Sequence, residues 1–132
     1  MRRGVLFVSP RGDDATVLSR MLGLVSMPVE HAGSFRQARS IVLDEPFQAI
    51  LTEANLPDGN WRDILALAKS QIPGAEVIVT DPVADPTFWA EVLNWGAYDL
   101  IAQPFATAEV QRILANACTR FDQSPRAARA AL

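Results

Sequence analysis

Hydrophobic and polar positions follow two alternating periods along the chain. Short apolar runs rich in β-branched residues are each followed by a longer segment in which apolar side chains recur every three to four positions. The short runs predict strands buried on both faces, and the longer segments predict amphipathic helices. The predicted strands cover residues 5–8, 29–32, 49–52, 77–80 and 99–102. This alternation predicts an α/β domain in which helices cover a parallel sheet.

Local signals mark the ends of the second and fourth helices. Ser34, with Gln37 three residues later, predicts a capping box at the start of the second helix. Asp85 followed by Pro86 predicts an N-cap and a first helical residue, and Gly96 predicts a left-handed end to the same helix. The fourth helix therefore has the most sharply predicted boundaries.

The first and last helices are predicted from apolar spacing. The first is expected over residues 15–24, with Asp13 and Asp14 ahead of it. Carboxylates there suit helix capping and the positive end of the helix dipole better than a displaced metal pair. The last helix is expected from about residue 106 to residue 120, with an inward face of Val110, Ile113, Leu114 and Ala117.

Length and composition limit the classes of protein that fit. The 132 residues are 49% hydrophobic and 20% charged, which fits one globular domain over residues 1–121 followed by a linker stub or frayed helical tail over residues 122–132. The net charge is −3 and the twelve Lys and Arg residues are scattered, so direct nucleic-acid binding is not expected. No apolar run approaches the roughly 18 residues of a membrane span. We expect a cytoplasmic protein.

Catalytic and metal-binding patterns are missing from the sequence. The single cysteine, Cys118, lies in an apolar helical pattern and predicts a core residue, while the single histidine, His31, has no Cys or carboxylate cluster around it. The sequence contains no glycine-rich phosphate loop and no nucleophile paired with a base. An enzyme is therefore not expected.

Candidate site residues are those that directly follow the predicted strands. In open α/β sheets, ligands bind beyond the carboxyl ends of the strands, where the strand order reverses. The residues at these ends are Ser9, Pro10 and Arg11 after the first strand, Glu53 after the third, Thr80 and Asp81 after the fourth, and Gln103 after the fifth.

Two motifs give the sequence a family resemblance. Glu53-Ala-Asn-Leu-Pro-Asp-Gly59 resembles the loop after the third strand of response-regulator receiver domains, where an aspartate precedes x-x-Leu-Pro-Asp-Gly. Gly96-Ala-Tyr-Asp-Leu-Ile-Ala-Gln-Pro-Phe105 resembles their Gly-Ala-x-Asp-Tyr-x-x-Lys-Pro-Phe signature. The resemblance covers about residues 4 to 121 and implies a flavodoxin-like (βα)5 domain, a doubly wound five-stranded parallel sheet with strand order 2-1-3-4-5, working in bacterial two-component signal transduction.

The resemblance also implies a phosphorylation site, but the key positions depart from the family pattern. A working receiver carries an acidic pair, a phosphorylated aspartate, a hydroxyl residue, an aromatic switch residue and a lysine. In this sequence the corresponding positions hold Ser9 and Pro10, Glu53, Asp81 (or Thr80 if the register shifts by one), Leu100 and Gln103. The sequence therefore resembles a pseudo-receiver, a variant that has lost or rebuilt this chemistry.

The departures change the expected cofactor and mechanism. Mg²⁺ prefers several hard carboxylate ligands, so its binding is expected to be lost, and Glu53 is expected to act as a permanent anion. We hypothesise that the Arg11 guanidinium replaces metal and lysine by pairing with Glu53 or Asp81; a solvated loop arginine is the alternative. A second function remains open, in which Glu53 or Asp58 is a working phosphoacceptor, although Asp58 also suits its Pro-Asp-Gly turn.

The fourth helix is the expected site of protein partners. Trp89, Val92 and Leu93 share one face that is expected to enter the core, whereas Phe88 and Trp95 share a neighbouring face. That second face either roofs the core or is exposed for binding. In receivers, helix four, strand five and helix five form the surface for partners, so the resemblance implies an output domain, a histidine kinase or a second copy of the chain.

Overall fold

Strands and helices alternate along residues 4–124, the part of the chain that this computed structural model describes. The strands are β1 (Val5–Val8), β2 (Val29–Ala32), β3 (Ala49–Glu53), β4 (Asn55–Leu56), β5 (Gly59–Asn60), β6 (Glu76–Asp81) and β7 (Asp99–Ala102). The helices are α1 (Gly12–Gly23), α2 (Phe35–Asp44), α3 (Trp61–Gln71), α4 (Pro86–Asn94) and α5 (Thr107–Asp122).

The main sheet has five parallel strands in the order β2-β1-β3-β6-β7. The short strands β4 and β5 form a separate antiparallel pair, so the order among the five long strands is the predicted 2-1-3-4-5. After β1, the chain first forms β2, which pairs with one edge of β1. It then crosses to form β3, which pairs with the opposite edge of β1. The strand order therefore reverses between β1 and β3, and their carboxyl ends frame the expected ligand position.

Alternate residues of each central strand serve two different helix layers. Val5 and Phe7 of β1 belong to the core beneath α1 and α5, whereas Leu6 and Val8 belong to the core beneath α2 and α3. All four side chains are fully buried. A strand covered on both faces has no polar alternation, which explains the continuous apolar runs in the sequence.

The predicted N-cap of α4 is confirmed, and the capping box predicted for α2 is confirmed only in its Ser34 half. The Ser34 hydroxyl accepts a hydrogen bond from the backbone N–H of Gln37 (3.1 Å), although the Gln37 side chain accepts from the Gly33 N–H (2.6 Å) rather than from Ser34. The Asp85 carboxylate accepts from the N–H of Phe88 (2.8 Å), directly before Pro86 at the first turn. Gly96 has a φ of 103°, in the left-handed region that favours glycine.

The predicted ends of α1 and α5 need correction. α1 begins at Gly12, and its N-cap, Arg11, makes no side-chain capping bond, so Asp13 and Asp14 lie inside the first turn and do not cap it. Only three residues separate β1 from α1, and the helix therefore begins before the two carboxylates. α5 continues through Asp122, which was expected in the tail; residues 125–132 of that predicted tail lie outside the described residues.

None of the helices found within residues 4–124 combines the length and the apolar character needed to cross a lipid bilayer.

Candidate functional site

Ser9 and Glu53 meet at the carboxyl ends of β1 and β3. Ser9 is fully buried, only 7% of Glu53 is exposed, and the Ser9 hydroxyl donates a short hydrogen bond to Glu53 Oε2. A carboxylate removed from water is costly unless donors compensate it, and Ser9 supplies one. The structure thus brings together two of the predicted site residues, as a hydroxyl bound to a carboxylate.

Two further groups hold Ser9 in place. The backbone N–H of Arg11 donates to the Ser9 hydroxyl oxygen (3.0 Å). His31 Nε2 lies 2.7 Å from the Ser9 carbonyl oxygen, and because a carbonyl only accepts, this ring nitrogen carries the proton. Sequence reasoning missed this role of His31. The parallel pairing of β1 with β2, which places the ends of both strands at one edge, is the signal that would have indicated it.

The Arg11 side chain does not make the ion pair we hypothesised. Within residues 4–124 it has no salt bridge to Glu53 or Asp81, and the residue is exposed. Arg11 serves this site through its backbone N–H alone. The physical reason is that Glu53 already has Ser9 as a donor, while the guanidinium is hydrated at the surface.

Thr80 and Asp81 hold different places beside Glu53. The strand register pairs Glu53 with Thr80, so of the two alternatives for the hydroxyl position Thr80 is the direct neighbour. The buried Thr80 hydroxyl donates to the carbonyl oxygen of Ile101 (2.8 Å). The Asp81 carboxylate accepts from the N–H of Val83 (3.0 Å) and so shapes the following loop. The switch roles of both residues stay predictions.

The remaining predicted site residues are Leu100 within β7, Gln103 after β7 and Pro10 after β1. Leu100, in place of the switch aromatic, is buried in a cluster with Val79 and Val92. Gln103 is the residue predicted at the lysine position, and both polar atoms of its amide are buried without a hydrogen-bond partner among the described residues. Pro10 is exposed directly after Ser9. No positive charge from these positions approaches the Glu53 carboxylate within residues 4–124.

Asp58 anchors the start of α2 from across the chain. Its two carboxylate oxygens accept hydrogen bonds from the N–H of Phe35 (2.8 Å) and the N–H of Arg36 (3.0 Å). The pKa of Asp58 is lowered below its ordinary value of 3.8, mainly by the hydrogen bond from the Arg36 N–H and further by the one from the Phe35 N–H. Both oxygens are engaged in this capping role, which a turn signal alone could not reveal.

We expect Asp58→Asn to weaken the fold in a pH-dependent way. A carboxyl group with a lowered pKa in the folded protein stabilises the fold at pH values above its ordinary pKa. This stabilisation is lost as the pH falls through the pKa of the folded state. The variant should therefore be fully destabilised at neutral pH, and its difference from the parent should shrink in acid. Urea midpoints across this range measure it. Asp44→Asn is the matched control, because Asp44 lies at the opposite, carboxyl end of α2. An equal loss in both variants would count against the capping role.

An aromatic cluster joins α3 to α4. Trp61 is 5% exposed and makes edge contacts with Phe88 (5.9 Å between ring centroids) and Trp95 (6.0 Å). The Arg62 guanidinium lies 4.6 Å from the centre of the Trp95 ring and pairs with the Glu91 carboxylate. We call these five residues the aromatic cluster. Phe88 is half-buried, which agrees with the alternative in which its face of the helix roofs the core.

The expected burial of Trp89 is wrong. This side chain is 48% exposed, and its indole Nε1 donates to the Asp99 carboxylate (3.1 Å). Val92 is fully buried and Leu93 is half-buried, so α4 is rotated relative to the expected orientation. Trp95 is 56% exposed, which agrees with the alternative of an exposed face, but its ring lies on the side of α4 that faces α3. Trp89 is thus the exposed aromatic on the face formed by α4, β7 and α5.

Comparisons with known proteins were made on sequence and on structure. The chain is 25% identical to the response regulator PilR of Pseudomonas aeruginosa over 116 residues, which are 88% of this chain and 26% of PilR. No protein-family model matches the chain. The signal receiver domain of an HD domain-containing protein from Pseudomonas fluorescens superposes with a TM-score of 0.82 at 20% identity, covering 94% of this chain and 100% of that domain.

The beryllofluoride-activated NtrC4 receiver domain dimer also superposes, with a TM-score of 0.81 at 22% identity over 91% of this chain and 98% of that one. These structures show the fold, and the PilR match adds a sequence relation over 88% of this chain. The chain has the fold of response-regulator receiver domains. It spans about a quarter of the length of PilR.

Proposed function

We propose that this receiver domain is a phosphorylation-independent regulatory and protein-interaction module. The observation that carries the proposal is the buried Glu53 carboxylate, which accepts the Ser9 hydroxyl hydrogen at the position of the phosphoacceptor. A carboxylate engaged in this way is a fixed anion and a poor nucleophile toward a phosphodonor. The cytoplasmic location expected from the sequence belongs to the same proposal.

The donor set around Glu53 does not suit Mg²⁺. This ion takes octahedral oxygen ligands and usually relies on carboxylates, but the positions after β1 hold a hydroxyl and a proline. No group of three or more His, Cys, Asp or Glu side chains with metal-site spacing occurs in the described part of the chain. Without a cation or a lysine, the charge that develops during phosphoryl transfer has no stabilising partner. We therefore propose that Mg²⁺ binding is lost.

The alternative function is a working receiver that uses Glu53 or Asp58 as phosphoacceptor. Asp58 is disfavoured because both of its oxygens bind the first turn of α2. Glu53 is disfavoured because its carboxylate is buried and held by Ser9. Either residue would need metal ligands that the described residues do not supply at that position.

Phosphodonors separate these two functions. With acetyl phosphate or beryllofluoride plus Mg²⁺, we expect no gain of a phosphoryl mass and no saturable change in tryptophan fluorescence, with Trp61 and Trp89 as reporters. The matched positive control restores the acidic pair, the aspartate and the lysine of the family pattern with four substitutions, Ser9→Asp, Pro10→Asp, Glu53→Asp and Gln103→Lys. A saturable, Mg²⁺-dependent response of the unchanged domain would support the working receiver instead.

The partner surface we propose is the face formed by α4, β7 and α5. Trp89 projects there beside a groove of about 360 Å³, whose other walls include Ala84, Pro86, Leu100 and Glu109. Exposed tryptophan is enriched at interface centres. An output domain, a histidine kinase and a second copy of the chain each fit such a face. The second copy is tested first because the NtrC4 receiver is a dimer.

We expect Trp89→Gln to abolish self-association if the face joins two copies. Sedimentation velocity over a range of concentrations measures the change from dimer to monomer. Trp95→Gln is the matched control, since Trp95 is similarly exposed but lies on the α3 side. If only Trp95→Gln loses the dimer, the interface lies at the aromatic cluster instead. If the parent domain and both variants are monomers, the partner of this face is a different protein.

A further inference from the structure

A second cleft opens beside Ser9, between the loop that follows β1 and the loop that follows β7. It encloses about 370 Å³, and its polar lining comes from Arg11, Asp14 and Gln103. Val17 and Phe105 contribute apolar walls. We call it the Arg11 cleft. Its position at the carboxyl ends of the strands is where open α/β sheets bind ligands.

Two opposite charges on the rim of the Arg11 cleft have no partner among the residues that the structure describes. Within residues 4–124, neither the Arg11 guanidinium nor the Asp14 carboxylate makes a side-chain hydrogen bond or a salt bridge. The residues are three positions apart, at the start of α1, so a single short segment presents both charges to the cleft. A cation and an anion that are not bound to each other can each receive a group of opposite sign from one ligand.

Gln103 adds an amide whose hydrogen-bonding capacity is unused. Both its Nε2 and Oε1 atoms are buried without a partner among the described residues, at the edge of the same cleft. Buried polar groups are almost always hydrogen-bonded, and an unpaired one is costly. Rotation of this side chain toward the cleft breaks no protein hydrogen bond. A ligand that offers a donor or an acceptor would therefore relieve an existing cost.

We propose that the Arg11 cleft binds a small zwitterion of the α-amino acid type. The ligand carboxylate pairs with the Arg11 guanidinium, its ammonium pairs with Asp14, and the Gln103 amide takes a remaining hydrogen bond. The apolar side chain of the ligand packs against Val17 and Phe105. A ligand with only one charge would leave either Arg11 or Asp14 unpaired, which is why a zwitterion fits better than a simple anion or cation.

Binding in the Arg11 cleft would reach Glu53 through two consecutive hydrogen bonds. The backbone N–H of Arg11 donates to the Ser9 hydroxyl, which in turn donates to Glu53. A ligand that moves Arg11 therefore acts on the pair at the phosphoacceptor position. Its meaning as a signal rests on the proposed function, because the ligand then takes the place of the phosphoryl group, but binding itself is measured independently.

The first experiment titrates the protein with each proteinogenic amino acid by calorimetry, and with L-leucine, isocaproate and isoamylamine as a matched set. Isocaproate lacks the ammonium and isoamylamine lacks the carboxylate. We expect saturable binding of at least one aliphatic amino acid, and binding weaker by roughly tenfold or more when either charge is removed. No saturable binding at millimolar concentrations, or equal binding of isocaproate, would overturn the inference.

Variants locate the site. Arg11→Gln and Asp14→Asn are each expected to weaken binding by roughly tenfold or more. Asp13→Asn is the matched control, because Asp13 lies in the same turn but does not line the cleft. Unchanged affinity in the Arg11 variant, or an equal loss in the control, contradicts the proposed site. If the protein binds amino acids and also responds to beryllofluoride, the proposed function is overturned and this inference stands. If it binds no amino acid and does not respond to beryllofluoride, this inference is overturned and the proposed function stands.

Discussion

Replacing Ser9 with alanine is expected to destabilise the domain by about 2 kcal/mol, because a buried carboxylate then loses its hydroxyl donor. Ser9 and Glu53 are 44 positions apart in the chain, so the bond links two strands rather than neighbouring residues. The free energy of unfolding from urea titration at neutral pH measures the loss. Ser19→Ala is the matched control, since Ser19 is exposed on α1 and a surface change of this kind is worth within about 0.5 kcal/mol.

A double-mutant cycle assigns that loss to the Ser9–Glu53 pair. In a Glu53→Gln background the side chain is neutral, and a neutral acceptor loses less when its donor is removed. The cost of Ser9→Ala should therefore be smaller in that background than in the parent domain. Strictly additive costs would mean that the two side chains do not interact, and the proposal of a fixed Glu53 anion would lose its main support.

The sheet could be predicted from the sequence because its signals are local and repeated. Each buried strand is a continuous apolar run, and Asp85, Pro86 and Gly96 mark the limits of α4 within a few positions. The strand order followed from the two family motifs rather than from the apolar pattern. In each of these cases a short segment carries its own information, so no knowledge of distant contacts was needed.

The candidate site could be predicted only in part, because its contacts join distant segments. Strand ends identified Ser9 and Glu53 as neighbours, but the bond between them depends on rotamers, and the hypothesised Arg11 pairing was wrong. The cap that Asp58 provides to α2 connects positions 22 and 23 residues apart. Helical periodicity alone did not fix the rotation of α4 about its own axis to better than about one residue. For this reason Trp89 was expected in the core.

Trp61→Ala is expected to have the largest effect on stability, a loss of about 3–5 kcal/mol. Trp61 is nearly fully buried at the first position of α3, and it supports the rings of Phe88 and Trp95 together with the Arg62 guanidinium. Truncation would leave a large cavity between α3 and α4 that these neighbours cannot fill without moving. Urea or thermal unfolding monitored by far-ultraviolet circular dichroism measures the loss without relying on tryptophan fluorescence.

Trp89→Ala is the matched control for this change, because it removes the same side chain from a half-exposed position. We expect a loss of about 1 kcal/mol or less, since little cavity forms and water replaces the indole bond to Asp99. The contrast between the two variants tests the rotation of α4 directly. If Trp89 entered the core as its helical position first suggested, its truncation would cost as much as that of Trp61. Equal losses would therefore contradict both the aromatic cluster and the assignment of Trp89 to the partner face.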